Sequence, residues 1–259
     1  MDYAIFAFLI TLGLFLGMLL LLDLGRRIGI RRRAQDPDGA TAGTGAVDGA
    51  VFALLGLLIA FTFSGAASRF DTRRNLIVEE ANDIGTAYLR INLLPASAQP
   101  ELRESVRRYV DARLEAYRKL PDVEAAKVEL AKAAQLQNEI WNQAIAAGRL
   151  EGAQPAATML LLPALNQMFD ITTTRTMATQ MHPPKIIFAM LFVLALASSL
   201  LAGYGMAGGK SRNWIHMGGF ALIMAFAIYV ILDLEYPRIG LIRVDAFDQV
   251  IMEVRAGMK

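Results

Sequence analysis

DGAVFALLGLLIAFTFSGAASRFDTRRNLIVEEAND, residues Asp48–Asp83, begins as a stretch fit for lipid and ends as one fit for water. No proline interrupts it, and the change from Val51–Phe63 to Arg69, Asp71, Arg73, Arg74, Glu79 and Glu80 happens without a turn signal. One weak point is Gly65, and a lone glycine costs a helix only about 1 kcal/mol. The stretch therefore predicts a single long helix that crosses a membrane and continues into water.

The rest of the chain is read outward from that rod. Of the 259 residues, 55% are hydrophobic and 19% charged, and the mean hydropathy is +0.39. The apolar excess is gathered into four blocks, and a spanning helix needs about 20 such residues. The predicted spans are 4–22, 49–68, 186–207 and 214–232, an all-α fold with a helical bundle inserted between spans 2 and 3. This divides the chain into a transmembrane hairpin (1–69), an extramembrane bundle (70–182), and a second hairpin with a short tail (183–259). The first block lacks a basic segment before it, so it reads as an uncleaved anchor. Gly13 and Gly17 form a GxxxG pair, a pattern that lets helices approach closely and that also occurs by scatter in spanning helices.

Between the spans, Leu76, Ile77, Ala81, Ile84, Tyr88, Ile91 and Leu94 repeat at three and four, the helical spacing of a buried stripe. PASAQP (95–100), Pro121 and the glycine-bounded 148–155 mark turns, which leaves three to four antiparallel helices. A bend is expected at Pro163.

Function classes narrow quickly. There are no cysteines, which removes disulfides, thiolate metal sites and cysteine nucleophiles. A net charge of +2 gives no reason to expect nucleic acid. No phosphate loop, zinc-protease helix, serine elbow or dinucleotide loop is present, so an enzyme and a bound cofactor are not expected. His182, before two prolines, reads as a loop residue, and His216 as an interfacial one; neither has a metal partner in sequence. The informative polar residues lie on and beside the spans. Thr62, Ser64 and Ser68, with Phe61 and Phe63, are candidates to line a water-filled path, although such hydroxyls also bond their own helix carbonyls. Arg69, Asp71, Arg73 and Arg74 follow span 2, and Asp233, Glu235 and Arg238 follow span 4. These two groups are expected at one membrane face, as ion pairs or as a vestibule.

At GLLIAF (56–61) and SRFDTRR (68–74) the chain resembles the bestrophin anion channels, and as a whole it resembles a bacterial bestrophin-like group of unassigned function. Gly56, Leu57, Leu58, Ala60 and Phe61 match the bestrophin GLLLAF helix; Arg69, Phe70 and Arg74 match its Arg-aromatic segment; PRIGLIRV (237–244) also looks like the bacterial group. Thr62, Phe63 and Ser64 replace an Arg-Thr-Asn run, Ser68 replaces an aspartate, and Phe70 and Asp71 replace a tryptophan pair.

The resemblance implies a homo-oligomer, a pentamer by analogy, with span 2 around the axis, inorganic ions as cargo and an anion favoured over a cation. A non-conducting sensor or interaction module anchored in the lipid bilayer is the alternative. Placement in the inner (plasma) membrane is expected. Five arginines within 25–33, with Lys210 and Arg212, put loop 25–48 in the cytoplasm on the positive-inside rule. The resemblance instead implies a cytosolic bundle, so orientation stays open, to be decided by tags at Gly39 and Gln137.

Overall fold

The computed structural model describes residues 3–36, 44–209 and 211–259. Gly39 and Lys210, used above for topology, lie outside the described residues. Among the described residues eight α-helices follow in order: α1 (Tyr3–Gln35), α2 (Thr44–Arg90), α3 (Gln99–Arg118), α4 (Val123–Ala147), α5 (Pro155–Gln180), α6 (Lys185–Gly205), α7 (Trp214–Leu234) and α8 (Gln249–Ala256). No strand occurs among the described residues. Among the described residues four helices are long and apolar enough to cross a membrane, as the hydropathy blocks predict. The rod is real: α2 is 47 residues long and runs unbroken through Gly65. α5 likewise continues through Pro163.

The chain forms two compact units. The first, 1–68 with 182–236, holds α1, the apolar part of α2, α6 and α7. Leu14, Met18 and Leu22 of α1 are buried with Ala195 of α6, Met217, Ala221 and Ile228 of α7, and Leu55 of α2. In lipid the hydrophobic effect does not drive helices together, so close packing at small residues must. The close approach here is between α1 and α6. A Cβ on Gly25 would overlap the Leu200 carbonyl oxygen, and one on Gly203 would overlap the Leu22 carbonyl oxygen. Gly29 is also packed too closely for a Cβ, against Tyr204 and Ala207. Of the GxxxG pair singled out in the sequence, Gly13 faces open space and Gly17 only touches the Leu196 side chain.

GRRIGIRRR differs from its reading as a loop. It is the last three turns of α1. Arginine is a good helix former, and the two glycines sit where α6 and the turn after it come closest. Arg26 donates to the Gly209 carbonyl at 2.9 Å, and Asp23 pairs with Arg212 at 2.8 Å, so the basic residues also fasten the α6–α7 turn.

The second unit, 69–181 with 237–259, is a helical bundle built on the polar part of α2. Ile77, Ile84, Ile91, Leu102, Tyr109, Ile140, Leu161, Leu165 and Met168 are fully buried in one cluster. Each such side chain contributes about 1.5–3 kcal/mol of transfer free energy. Val244, Ile251 and Met258 join the same cluster, which places the segment after α7 in this core. α4 is capped by Asp122, whose carboxylate accepts the Ala125 N–H at 3.0 Å.

Candidate functional site

Two places concentrate polar residues that the core does not need: the outward face of α2 within the first unit, and a buried charge cluster within the second. On α2, Leu55, Ile59, Thr62 and Ala66 recur at four, three and four, and form the face turned toward the other span helices. Phe52 meets Phe220 edge-on, with ring centroids 6.2 Å apart. The Thr62 hydroxyl is spent on its own helix, donating to the Leu58 carbonyl at 2.7 Å and the Ile59 carbonyl at 3.1 Å. On the other side, Ala53, Leu57, Ala60, Phe61, Ser64 and Ser68 are exposed within the single chain. Phe61 is 67% and Phe63 46% exposed. Gly49 and Gly56 have nothing within 4 Å of where a Cβ would sit. Unlike Gly25 and Gly203, these two glycines are not required by any contact inside the described residues.

The charged residues that follow the apolar part of α2 find partners within the second unit. Asp71 pairs with Arg74 on the same helix at 3.3 Å. Arg73 is buried and donates from Nε to the Ala178 carbonyl and from Nη2 to the Met181 carbonyl, both at 3.0 Å, so it closes the end of α5. Arg69 is half-buried. Arg238 pairs with Asp245 at 2.9 Å and with Asp248. In the first unit, Asp233 accepts from the Tyr229 hydroxyl at 3.4 Å. The Glu235 carboxylate lies 3.2 Å from His182 Nδ1, and the His182 ring stacks on Tyr236.

Glu80, on the inner face of α2, is the centre of the buried cluster. Its carboxylate accepts from Arg113 Nε at 2.7 Å and Nη2 at 3.3 Å, and from Arg175 Nη1. The Tyr117 ring carries Arg175 at 4.3 Å, Arg238 at 4.5 Å and Arg113 at 5.3 Å from its centroid. Burial opposes the Glu80 charge, but Arg113 and Arg175 more than offset it and hold its carboxyl below the usual range. Burial also opposes the Arg113 charge, which Tyr117 and Glu80 restore, leaving its pKa above normal. Burial pushes the Tyr117 phenol up. Arg113 and Arg175 were not singled out in sequence. The available signal was an arginine inside the apolar stripe Tyr109, Val110, Leu114 and Tyr117.

No cluster of metal-ligating side chains occurs among the described residues. The arrangement is that of a membrane-spanning helical protein whose charged residues near the span ends are held in local ion pairs and hydrogen bonds. Its family can be stated. The family profile of the Bestrophin-like domain matches residues 12–246, and the chain belongs to that family. Crystal structures of variants of a bacterial bestrophin homologue from Klebsiella pneumoniae share the fold. One is 16% identical, covering 96% of this chain and 97% of that one, with a TM-score of 0.72. A second is 18% identical over 94% and 98% of the two chains, with a TM-score of 0.65. A third has 18% identity over 94% and 98%, with a TM-score of 0.63. No curated protein matches the chain.

Proposed function

We propose that this membrane protein is a homo-oligomeric ion channel in which the outward face of α2 surrounds the axis. The observation that carries the reading is the exposed face Ala53, Leu57, Ala60, Phe61, Ser64 and Ser68 on a spanning helix whose opposite face is packed. Small residues allow α2 copies to come close. Ser64 and Ser68 would offer hydroxyls to a passing ion, and Thr62, its hydroxyl bonded to its own helix, would stand behind them. Phe61, on that face, would form the apolar constriction, a type of gate that closes by dewetting, and Phe63, two residues on, would stand behind it. Membership in the bestrophin-like family supports an assembly of copies, five by analogy, and an inorganic anion as cargo. Arg69, Asp71, Arg73, Arg74, Asp233, Glu235 and Arg238 would hold the helix ends and shape the field near the mouth. We assign the protein to the inner membrane, and an accessible tag at Gln137 decides which side the bundle faces.

Purified protein in liposomes should carry chloride, and Phe61→Ala or Phe63→Ala should raise that flux. Because the native chain has no cysteine, Ser64→Cys is a clean probe, and oxidation should cross-link neighbouring copies. A monomer that carries no ion at any pH refutes the proposal.

A further inference from the structure

Within the second unit, a cavity of about 240 Å³ lies among α3, α4 and α5. Clefts for drug-sized ligands run to about 300–1,000 Å³, so this one suits a smaller molecule. Arg113 forms its inner end, and Ala134, Thr173 and Met177 stand exposed at its rim. Leu130 and Met177 give apolar wall, and Gln137 adds an amide.

Arg113 is 2% exposed and is only partly satisfied. Its Nε and Nη2 are spent on Glu80 and Tyr117. Nη1, with two N–H groups, makes no hydrogen bond among the described residues, and it belongs to a side chain that lines the cavity. Glu80 is shared by two buried guanidiniums, Arg113 and Arg175, so the trio keeps one positive charge over. Buried charge is costly unless compensated, and a charged N–H donor beside an apolar wall matches a carboxylate with a short aliphatic body. A second negative charge would meet Glu80.

We infer that this cavity binds a small organic monocarboxylate, its carboxylate on Arg113 Nη1 and its aliphatic part against Leu130 and Met177. The bound molecule would bridge α3, α4 and α5. The site does not depend on conduction, and its test uses none. Equilibrium dialysis of the full chain in detergent against labelled butyrate should show saturable binding of one per chain. Unlabelled propionate should displace it, and chloride or phosphate at the same concentration should not. Ala134→Phe at the exposed rim should weaken binding at least about tenfold, roughly 1.4 kcal/mol, with unchanged thermal unfolding. Thr173→Ile on the opposite rim serves if that variant misfolds. Absence of saturable binding overturns the site, as does full binding by folded rim variants. Equal displacement by chloride or phosphate overturns the carboxylate assignment.

Discussion

Replacing Glu80 by glutamine leaves two buried guanidiniums facing one neutral amide. The carboxylate uses Oε1 for Arg113 Nε and Oε2 for Arg113 Nη2 and Arg175 Nη1. Whichever way the amide turns, its NH₂ confronts a guanidinium and one oxygen must serve the rest. Removing one partner of a buried ion pair costs about 3–5 kcal/mol, because the other charge stays buried and uncompensated. Glu80→Gln keeps one acceptor, so a loss of about 3 kcal/mol is expected, and about 5 for Glu80→Ala. Urea unfolding of the full chain in detergent, followed by Trp141 fluorescence in a Trp214→Phe background, reads this. Trp141 packs against the bundle core, so its signal reports the second unit. Joint replacement of Glu80 by Leu, Arg113 by Met and Arg175 by Leu should recover most of the loss, since apolar side chains of similar volume often do as well as a buried ion pair. A Glu80→Gln loss below about 1 kcal/mol, the scale of an exposed pair, refutes the reasoning.

Three further outcomes follow from the packing and charge. Gly25→Ala and Gly203→Ala should each disrupt the α1–α6 crossing, seen as aggregation or loss of monodisperse protein in detergent, whereas Gly13→Ala should not. Ile251→Ala should cost the second unit about 2–5 kcal/mol in the Trp141 assay, because that side chain is fully buried and its loss leaves a cavity. With its folded pKa below 4.5, Glu80 contributes stability that is complete above pH 4.5 and falls as pH drops from there through the folded value. The slope approaches about 1.4 kcal/mol per pH unit, and Glu80→Gln should abolish it in acid unfolding curves.

The spans were legible because lipid imposes a contiguous apolar length that little else in a sequence imitates. The unbroken α2 was legible for a related reason: nothing between Thr44 and Arg90 stops a helix. The end of α1 was not. Gly25 and Gly29 look like turn residues, yet they are there to admit a neighbouring backbone, and only the partner helix reveals it. Of the three-residue charge cluster, two members carry a sequence signal, since Arg113 and Glu80 occupy positions in register with buried stripes. Their third member, Arg175, lies 95 residues from Glu80, a separation that periodicity cannot bridge. On the proposed channel face, sequence supplied the residues and structure supplied their sides: Thr62 faces inward with Leu55, while Phe61, Ser64 and Ser68 face outward.

Val244, Ile251 and Met258 belong to a core whose other members are translated before α6 and α7. A ribosome making this chain therefore releases most of the bundle while its last wedge is still unmade. The two final crossings must thread the bilayer in between. Until α8 is made, the apolar positions that Val244, Ile251 and Met258 cover in the folded unit lack that cover.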